Sequence, residues 1–341
     1  MKPELLERVC NAPGIPGFEG PIQEIVESAL APHCDEISRD RMGNVIGLKR
    51  ATVSSSDAPP LRVVLAAHAD EIGMMAKHID GDGFIRFEPV GGLNPQAIVS
   101  QRVIIHGREP VNGVIVPARG DKLPAMNDML IDTGLAKGEI SKLVEIGDPV
   151  TFAQELVQLN EKVYMARNFD DRLGTYCLLE AMRQVGETAV DVYAVSTVQE
   201  EKGVRGMPVA AFAIKPDIGL AIDGSLAWGA HVSKNESICA LGEGTGIYLM
   251  DGLTIADPRL LRFLFELCEN GKIAYQRNIG GGTDASAIQR TGMGALATTV
   301  GAPTRYMHST VQLAHVDDID ATVELLVAVL ENAHELETIL R

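Results

Sequence analysis

Two histidines and several carboxylates stand where apolar segments of the chain stop, and their side-chain types suit metal-assisted hydrolysis. His68 follows the run LRVVLAA (61–67) and leads into Ala69, Asp70 and Glu71. Glu200 and Glu201 follow VDVYAVST (190–197), Asp223 follows IGLAI (218–222), and His308 comes a few residues beyond ALATTV (295–300). Asp170 and Asp171 precede a helical pattern at 172–185. Each has an ordinary reading: a strand-end polar residue, a solvated Glu pair, an Asp-Gly turn, an N-cap. His308 reads equally well as a surface histidine after Arg305 and Tyr306. Their convergence on one edge of the inferred sheet outweighs these separate readings, because ligands of open α/β sheets bind outside the carboxyl ends of the strands.

Imidazole and carboxylate without thiolate is a donor set for zinc-like ions in an open catalytic site. A bridging carboxylate and two further protein ligands per ion would leave room for water. A pair of ions a few ångströms apart activates that water and clamps the attacking and carbonyl oxygens, as in aminopeptidases. Such chemistry also needs a carboxylate that is not a ligand, to carry the proton from water to the leaving amine. Glu200 and Glu201 supply one of each role. Successive side chains of an extended strand end point to opposite sides, so spacing alone leaves open which is which.

The elements that must hold these groups follow from periodicity. Four short, apolar, partly β-branched runs end at the candidate residues, as buried parallel strands do. Helical patterns lie at 172–185, 259–270 and 321–336. Strands alternating with helices predict an α/β fold, a mixed and largely parallel sheet covered by helices on both faces. Between about 72 and 161 the texture changes to short runs (GFIRFEPV, RVIIHG, GVIVPA, DPVTFA) broken by Gly, Pro and Asp, the rhythm of a small β-rich domain. The expected division is therefore a first catalytic part at 1–71, an inserted domain at 72–161 and a second catalytic part at 162–341.

Composition narrows the partners. With 341 residues, 46% hydrophobic and 22% charged, the chain has an ordinary globular make-up and length for about two domains. A net charge of −16 and 4% aromatics disfavour nucleic acid and anionic membrane surfaces. Five scattered cysteines without a C-x-x-C pair predict neither a disulfide framework nor a thiolate zinc site, and fit a reducing cytoplasm. No signal-peptide core and no run of about eighteen apolar residues is found.

The ordered motifs resemble metallopeptidase family forty-two, the TET-type, glutamyl-aminopeptidase-like enzymes. They are H-x-D-E at His68, Asp70 and Glu71; F-D-D-R-x-G at 169–174; Q-E-E at 199–201; Ile222-Asp223-Gly224; GGGTDA at 280–285; and P-T-R-Y-x-H-S at 303–309. GFEGPIQEIV near the start is similar to the family's opening helix, and LIDTGLAKGEISKLVEIGDPVTF resembles its inserted domain. The resemblance implies that His68 and Asp223 bind one metal, Glu201 and His308 the other, and that Asp170 bridges them. It implies Glu200 as general base and Asp70 as the residue that orients His68 through its second ring nitrogen. It further implies two divalent ions per subunit, zinc or cobalt foremost and manganese as a further candidate. Short peptides would be the substrates, the insertion a dimerisation domain, and dimers would assemble into a hollow dodecamer.

Two positions depart from the family pattern: Gln312 stands where many members carry Glu, and Ser286 where glycine is common. The Gly280–Gly282 run reads either as a flexible turn or as backbone approaching the substrate. His78, His106 and His231 are expected to be satisfied polar residues, and Met74, Met75 and Met250 packing side chains. Leu325, Leu326, Val329 and Leu336 mark the buried face of the last helix. Two competing functions are an inactive metal-binding assembly scaffold and a glycan hydrolase. The first does not explain a retained Glu200, and the second normally uses two free carboxylates flanking the bond.

Overall fold

The four apolar runs form the middle of the main sheet. In the computed structural model, which describes residues 1–117, 124–230 and 232–340, they are Asp191–Thr197, Arg62–His68, Ile218–Ile222 and Leu296–Gly301, lying side by side in that order and all parallel. The antiparallel strands Val45–Lys49 and Glu36–Arg39 extend one edge. Thr245–Met250 joins the other edge antiparallel and Tyr275–Ile279 pairs parallel to it, completing eight strands.

Alternation along these strands feeds two cores. Val63, Leu65 and Ala67 point to one face, where they meet the helices Phe169–Gln184 and Val316–Asn332 through residues such as Leu178, Leu325 and Leu326. Val64 and Ala66 point to the other, against the helix Gly206–Ile214 and the short helix Ala285–Gln289. Burial on both faces is why these strands are largely apolar between their ends, the buried Thr298 and Thr299 excepted. Leu325, Leu326, Val329 and Leu336 are all buried. Among the described residues no helix is long and apolar enough to cross a membrane.

Directly after His68 the chain enters a closed six-stranded barrel. Its order is Gly73–Ile79, Ile85–Val90, Met129–Asp132, Pro110–Pro117, Arg102–His106 and Pro149–Phe152. Met74, Phe87, Val103, Ile115, Ile131 and Val150 build its own core. Closure leaves no unpaired edge, which lets so short a segment with so many turns hold together. Met74 is in that core, whereas Met75 is half-buried and Met250, on the main sheet, is 44% exposed and thus not a packing side chain. His78 is exposed on a barrel strand, and His106 is half-buried with Nε2 2.8 Å from Thr151 Oγ1. His231 lies outside the described residues.

A second sheet has no counterpart in the sequence reading. Its five strands, Val157–Gln158, Val163–Ala166, Gln312–His315, Pro303–Arg305 and Ser225–Leu226, are each two to four residues long. Segments so short carry too little periodicity to be read.

Candidate metal centre

The main sheet delivers three of the candidate positions. His68 pairs in register with Thr197, so the turn bearing Glu200 and Glu201 begins beside it, and Ile222 pairs with Val300, which sets Asp223 one strand over. The small second sheet delivers the other two. The strand Val163–Ala166 runs into Arg167, Asn168, Phe169 and Asp170, and His308 lies on the connection between Pro303–Arg305 and Gln312–His315. Asp170 and Asp171 divide the work at the head of the helix. Asp171 accepts the amides of Gly174 at 2.9 Å and His68 at 3.1 Å, the capping role, and this frees Asp170 to face the cavity.

Asp170 sits between the two imidazoles. Its Oδ1 is 3.1 Å from His68 Nε2 and its Oδ2 is 3.2 Å from His308 Nε2. Two sets of donor atoms each lie within 4.8 Å of one another, His68, Asp170 and Asp223 in one, Asp170, Glu201 and His308 in the other, with Asp170 common to both. Glu200 belongs to neither set; its Oε2 stands 4.0 Å from His68 Nε2 and its side chain lines the same cavity.

Asp70 is fully buried below them. Its two carboxylate oxygens accept the amides of Glu200 and Glu201, each at 3.0 Å, so this one side chain fixes the turn that carries both glutamates. His68 Nδ1 is 3.1 Å from the main-chain carbonyl of Asp70 and 3.6 Å from its carboxylate. The ring is thus held chiefly by the Asp70 backbone, and the carboxylate serves the neighbouring turn. The barrel closes in from the other side. A Cβ on Gly92 would come within 2.5 Å of His308 Nδ1, so only glycine lets the loop after the barrel's second strand lie against this imidazole.

The electrostatics are those of a site short of positive charge. Burial, reinforced by Asp223, Asp284 and Glu201, pushes Glu200 up to about 10 even though His68 pulls it down. Burial and Asp170 push Glu201 up to about 7 against the pull of the two histidines. Asp223 is raised well above the carboxylate range, first by burial and then by Asp170. The imidazoles respond in kind: the hydrogen bond with Asp170 leads in lifting His308 to about 9, and although burial works against a charged His68, Asp170 and Asp70 carry it well above its ordinary value. Only Asp170, which both histidines serve, is held below its ordinary range against burial. Glu201 Oε1 is buried without a hydrogen-bond partner. An oxygen-and-imidazole cluster with an excess of carboxylates and an orphaned carboxylate oxygen fits divalent cations on both donor sets.

Residues 43–325 match the sequence profile of the M42 glutamyl aminopeptidases. The chain belongs to that family. It is 33% identical over 351 residues to a lysyl aminopeptidase of Pyrococcus furiosus, covering 98% of each chain. An aminopeptidase structure from Desulfurococcus kamchatkensis superimposes with a TM-score of 0.92 at 34% identity, covering 96% of this chain and 94% of the other. A Pyrococcus horikoshii TET1 peptidase, described as assembling into a tetrahedron or a large octahedral shell, has a TM-score of 0.85 at 29% identity, covering 96% and 98%. This M42 chain is accordingly a hydrolase, a metal-dependent aminopeptidase that uses divalent metal.

Two contributions to the M42 site escaped the sequence reading. Gln312, noted there only as a departure from the family pattern, accepts the Asp170 amide on Oε1 at 2.8 Å and donates from Nε2 to the Arg167 carbonyl at 3.1 Å. It therefore fixes the backbone that carries the shared carboxylate. Beside the site, Glu71 accepts from Arg167 at 2.7 and 3.1 Å, from Asn168 at 3.0 Å and from Arg172 at 3.3 Å, all four residues buried. The F-D-D-R motif was visible, but the folded partner of Arg167 and Arg172, 96 and 101 positions away, was not.

Proposed function

We propose that the chain removes N-terminal residues from short peptides at a dinuclear site. His68 and Asp223 hold one ion, Glu201 and His308 the other, and Asp170 both. The observation that carries this reading is that two donor sets share Asp170 while Glu200, in neither, lines the cavity beside them. Bound divalent ions supply the acidity of the attacking water and draw charge from the peptide carbonyl. Zinc or cobalt is the expected metal, with manganese a further candidate; affinity order and availability decide among them, not the His/carboxylate donor set.

The chain's own residues do the rest. Glu200 takes the proton of the attacking water and returns it to the leaving amine. Asp70 is a positioning residue that acts through the amides of Glu200 and Glu201 and, by its main chain, through His68. The carboxylates around the cavity favour the α-ammonium of a free N-terminus. Glycan hydrolysis is disfavoured because Asp170, Glu201 and Asp223 all fall in donor sets with an imidazole, whereas that chemistry uses two free carboxylates flanking the bond.

The segment 72–161 serves as a dimerisation domain within a catalytic unit made of 1–71 and 162–341. The shells formed by the P. horikoshii relative favour a dodecamer of such dimers here, and the five free cysteines favour the cytoplasm. Turnover of a panel of aminoacyl chromogenic amides, and of one peptide with and without an acetylated N-terminus, tests the activity. Cleavage of the free peptide alone is expected, and equal cleavage of the acetylated peptide would refute an aminopeptidase.

A further inference from the structure

We infer that the substrate groove continues from the metal centre past Gly203 and Val204 to Arg290, and that Arg290 receives the C-terminal carboxylate of the peptide. The inference rests on the aminopeptidase reading above. The cavity at the metal centre, about 560 Å³, and a second of about 630 Å³ share Gly203 and Val204 as wall. Leu253, on the wall of the second, also stands against the first: a Cβ on Gly282 would lie 3.7 Å from its Cδ1.

The two ends of this groove are opposite in charge. Asp170, Glu200, Glu201, Asp223 and Glu236 face the first cavity against one histidine, His308. Among the described residues the wall of the second carries a single charged side chain, Arg290, on a chain whose net charge is −16. A peptide is polarised the same way, with its ammonium at the end that is cleaved and its carboxylate at the other.

Arg290 has capacity for that carboxylate. Its Nε donates to the Ser286 carbonyl at 2.9 Å, and among the described residues it makes no ion pair, so the outer nitrogens of the guanidinium fork remain for a planar anion. Ser286 walls the same cavity, is 1% exposed, and its Oγ is buried without a hydrogen-bond partner. A buried hydroxyl left unpaired is costly unless a ligand completes it. Phe212 and Leu253, 75% and 53% exposed, supply apolar wall for the side chains between the two ends. The residue that departs from the family's usual glycine is thus part of the putting-together of a carboxylate site rather than of the metal centre.

The test compares peptides with a free C-terminus and the same peptides as C-terminal amides, from dipeptide to pentapeptide, each residue adding about 3.3–3.6 Å of reach. At the best length the free acid is expected to be preferred about tenfold in kcat/KM, expressed in KM, the scale of one charge-assisted hydrogen bond. Arg290→Gln should erase the preference, Arg290→Lys should restore part of it, and Ser286→Ala should narrow it. Arg50→Gln, which removes an exposed arginine paired with Glu36, should keep it. The same ratio is read as binding affinity on Glu200→Gln protein, in which turnover is slow enough to leave the peptide intact during the measurement. Absence of a preference at every length, or a preference that survives Arg290→Gln, overturns the inference. Failure of the aminopeptidase reading looks different: the native protein would then leave the N-terminal bond of acid and amide alike intact.

Discussion

Two buried charged clusters lie side by side in this molecule, and they are built from neighbouring residues. Glu71, Arg167, Asn168 and Arg172 form one; His68, Asp170, Glu200, Glu201, Asp223 and His308 form the other. In the first, both oxygens of the single carboxylate accept, and the guanidiniums place their remaining donors on the carbonyls of Val9, Ala12, Ala69 and Gln154. In the second, carboxylates outnumber imidazoles, and Glu201 Oε1, 3.6 Å from His308 Nε2, has no hydrogen bond. The first places the donors of both guanidiniums on acceptors of the protein, leaves only Asn168 Oδ1 without a hydrogen bond, and ties the N-terminal segment to the site. The second is incomplete, and what it lacks is positive charge. Burial of charge alone does not mark function; buried carboxylates crowded together with too few cations to pair them do.

The contrast is sharpest if one glutamate of each cluster is neutralised. Glu71→Gln should cost about 3–5 kcal/mol of stability, because two buried guanidiniums lose their counter-charge; denaturant unfolding measures it. Glu200→Gln should leave the unfolding curve in place and lower kcat by roughly 10²–10⁴-fold. An inactive but stable Glu71 variant, or an unfolded Glu200 variant, would break the distinction.

Removing metal is the next effect in size. Chelation should abolish turnover and lower the melting temperature, with about 2.7 kcal/mol of stabilisation regained at a free metal concentration a hundred times Kd. Differential scanning calorimetry with metal added back checks both limbs. Gln312→Leu should come next, lowering activity or metal affinity roughly 10–100-fold by releasing the backbone of Asp170, with little loss of the fold. Titration of the variant with metal while turnover is followed separates the two.

The smallest effect belongs to a second carboxylate–guanidinium pair, the buried Glu180 with the half-exposed Arg183. Burial raises the Glu180 carboxyl, but hydrogen bonds from Arg183 at 2.7 to 3.1 Å and from Gln184, together with the Arg183 charge, outweigh it and hold the group below its ordinary value. A lowered carboxyl stabilises the fold above the ordinary carboxylate range and loses that contribution as pH falls through the lowered value. Glu180→Gln should therefore flatten the acid limb of the stability curve by about 1 kcal/mol or less, as read from melting temperature against pH.

The same contrast explains what the sequence could say. The central strands were legible because burial on both faces removes polar residues from Arg62–His68 onward through Ile218–Ile222, and the site residues mark where those runs stop. The motif order then led to Asp170 and His308, which the strand pattern alone left as a cap and a surface histidine. The sheet that places these two was invisible, since its strands are two to four residues long and pair segments far apart, as Val163–Ala166 does with Gln312–His315. The part of Asp70 was also hidden: its carboxylate reaches the Glu200 and Glu201 amides 130 and 131 positions away. Local pattern reports burial; partners across the fold are set by tertiary closure.

Divalent metal bound per chain, measured by elemental analysis on native protein and on the Glu200→Gln and Asp170→Asn variants, shows whether Asp170 is shared by two ions and Glu200 by none. Two ions per chain are expected in the native protein and in Glu200→Gln, the latter with turnover lowered roughly 10²–10⁴-fold, and a deficit at both positions in Asp170→Asn. Loss of metal from Glu200→Gln with full occupancy in Asp170→Asn would contradict this assignment.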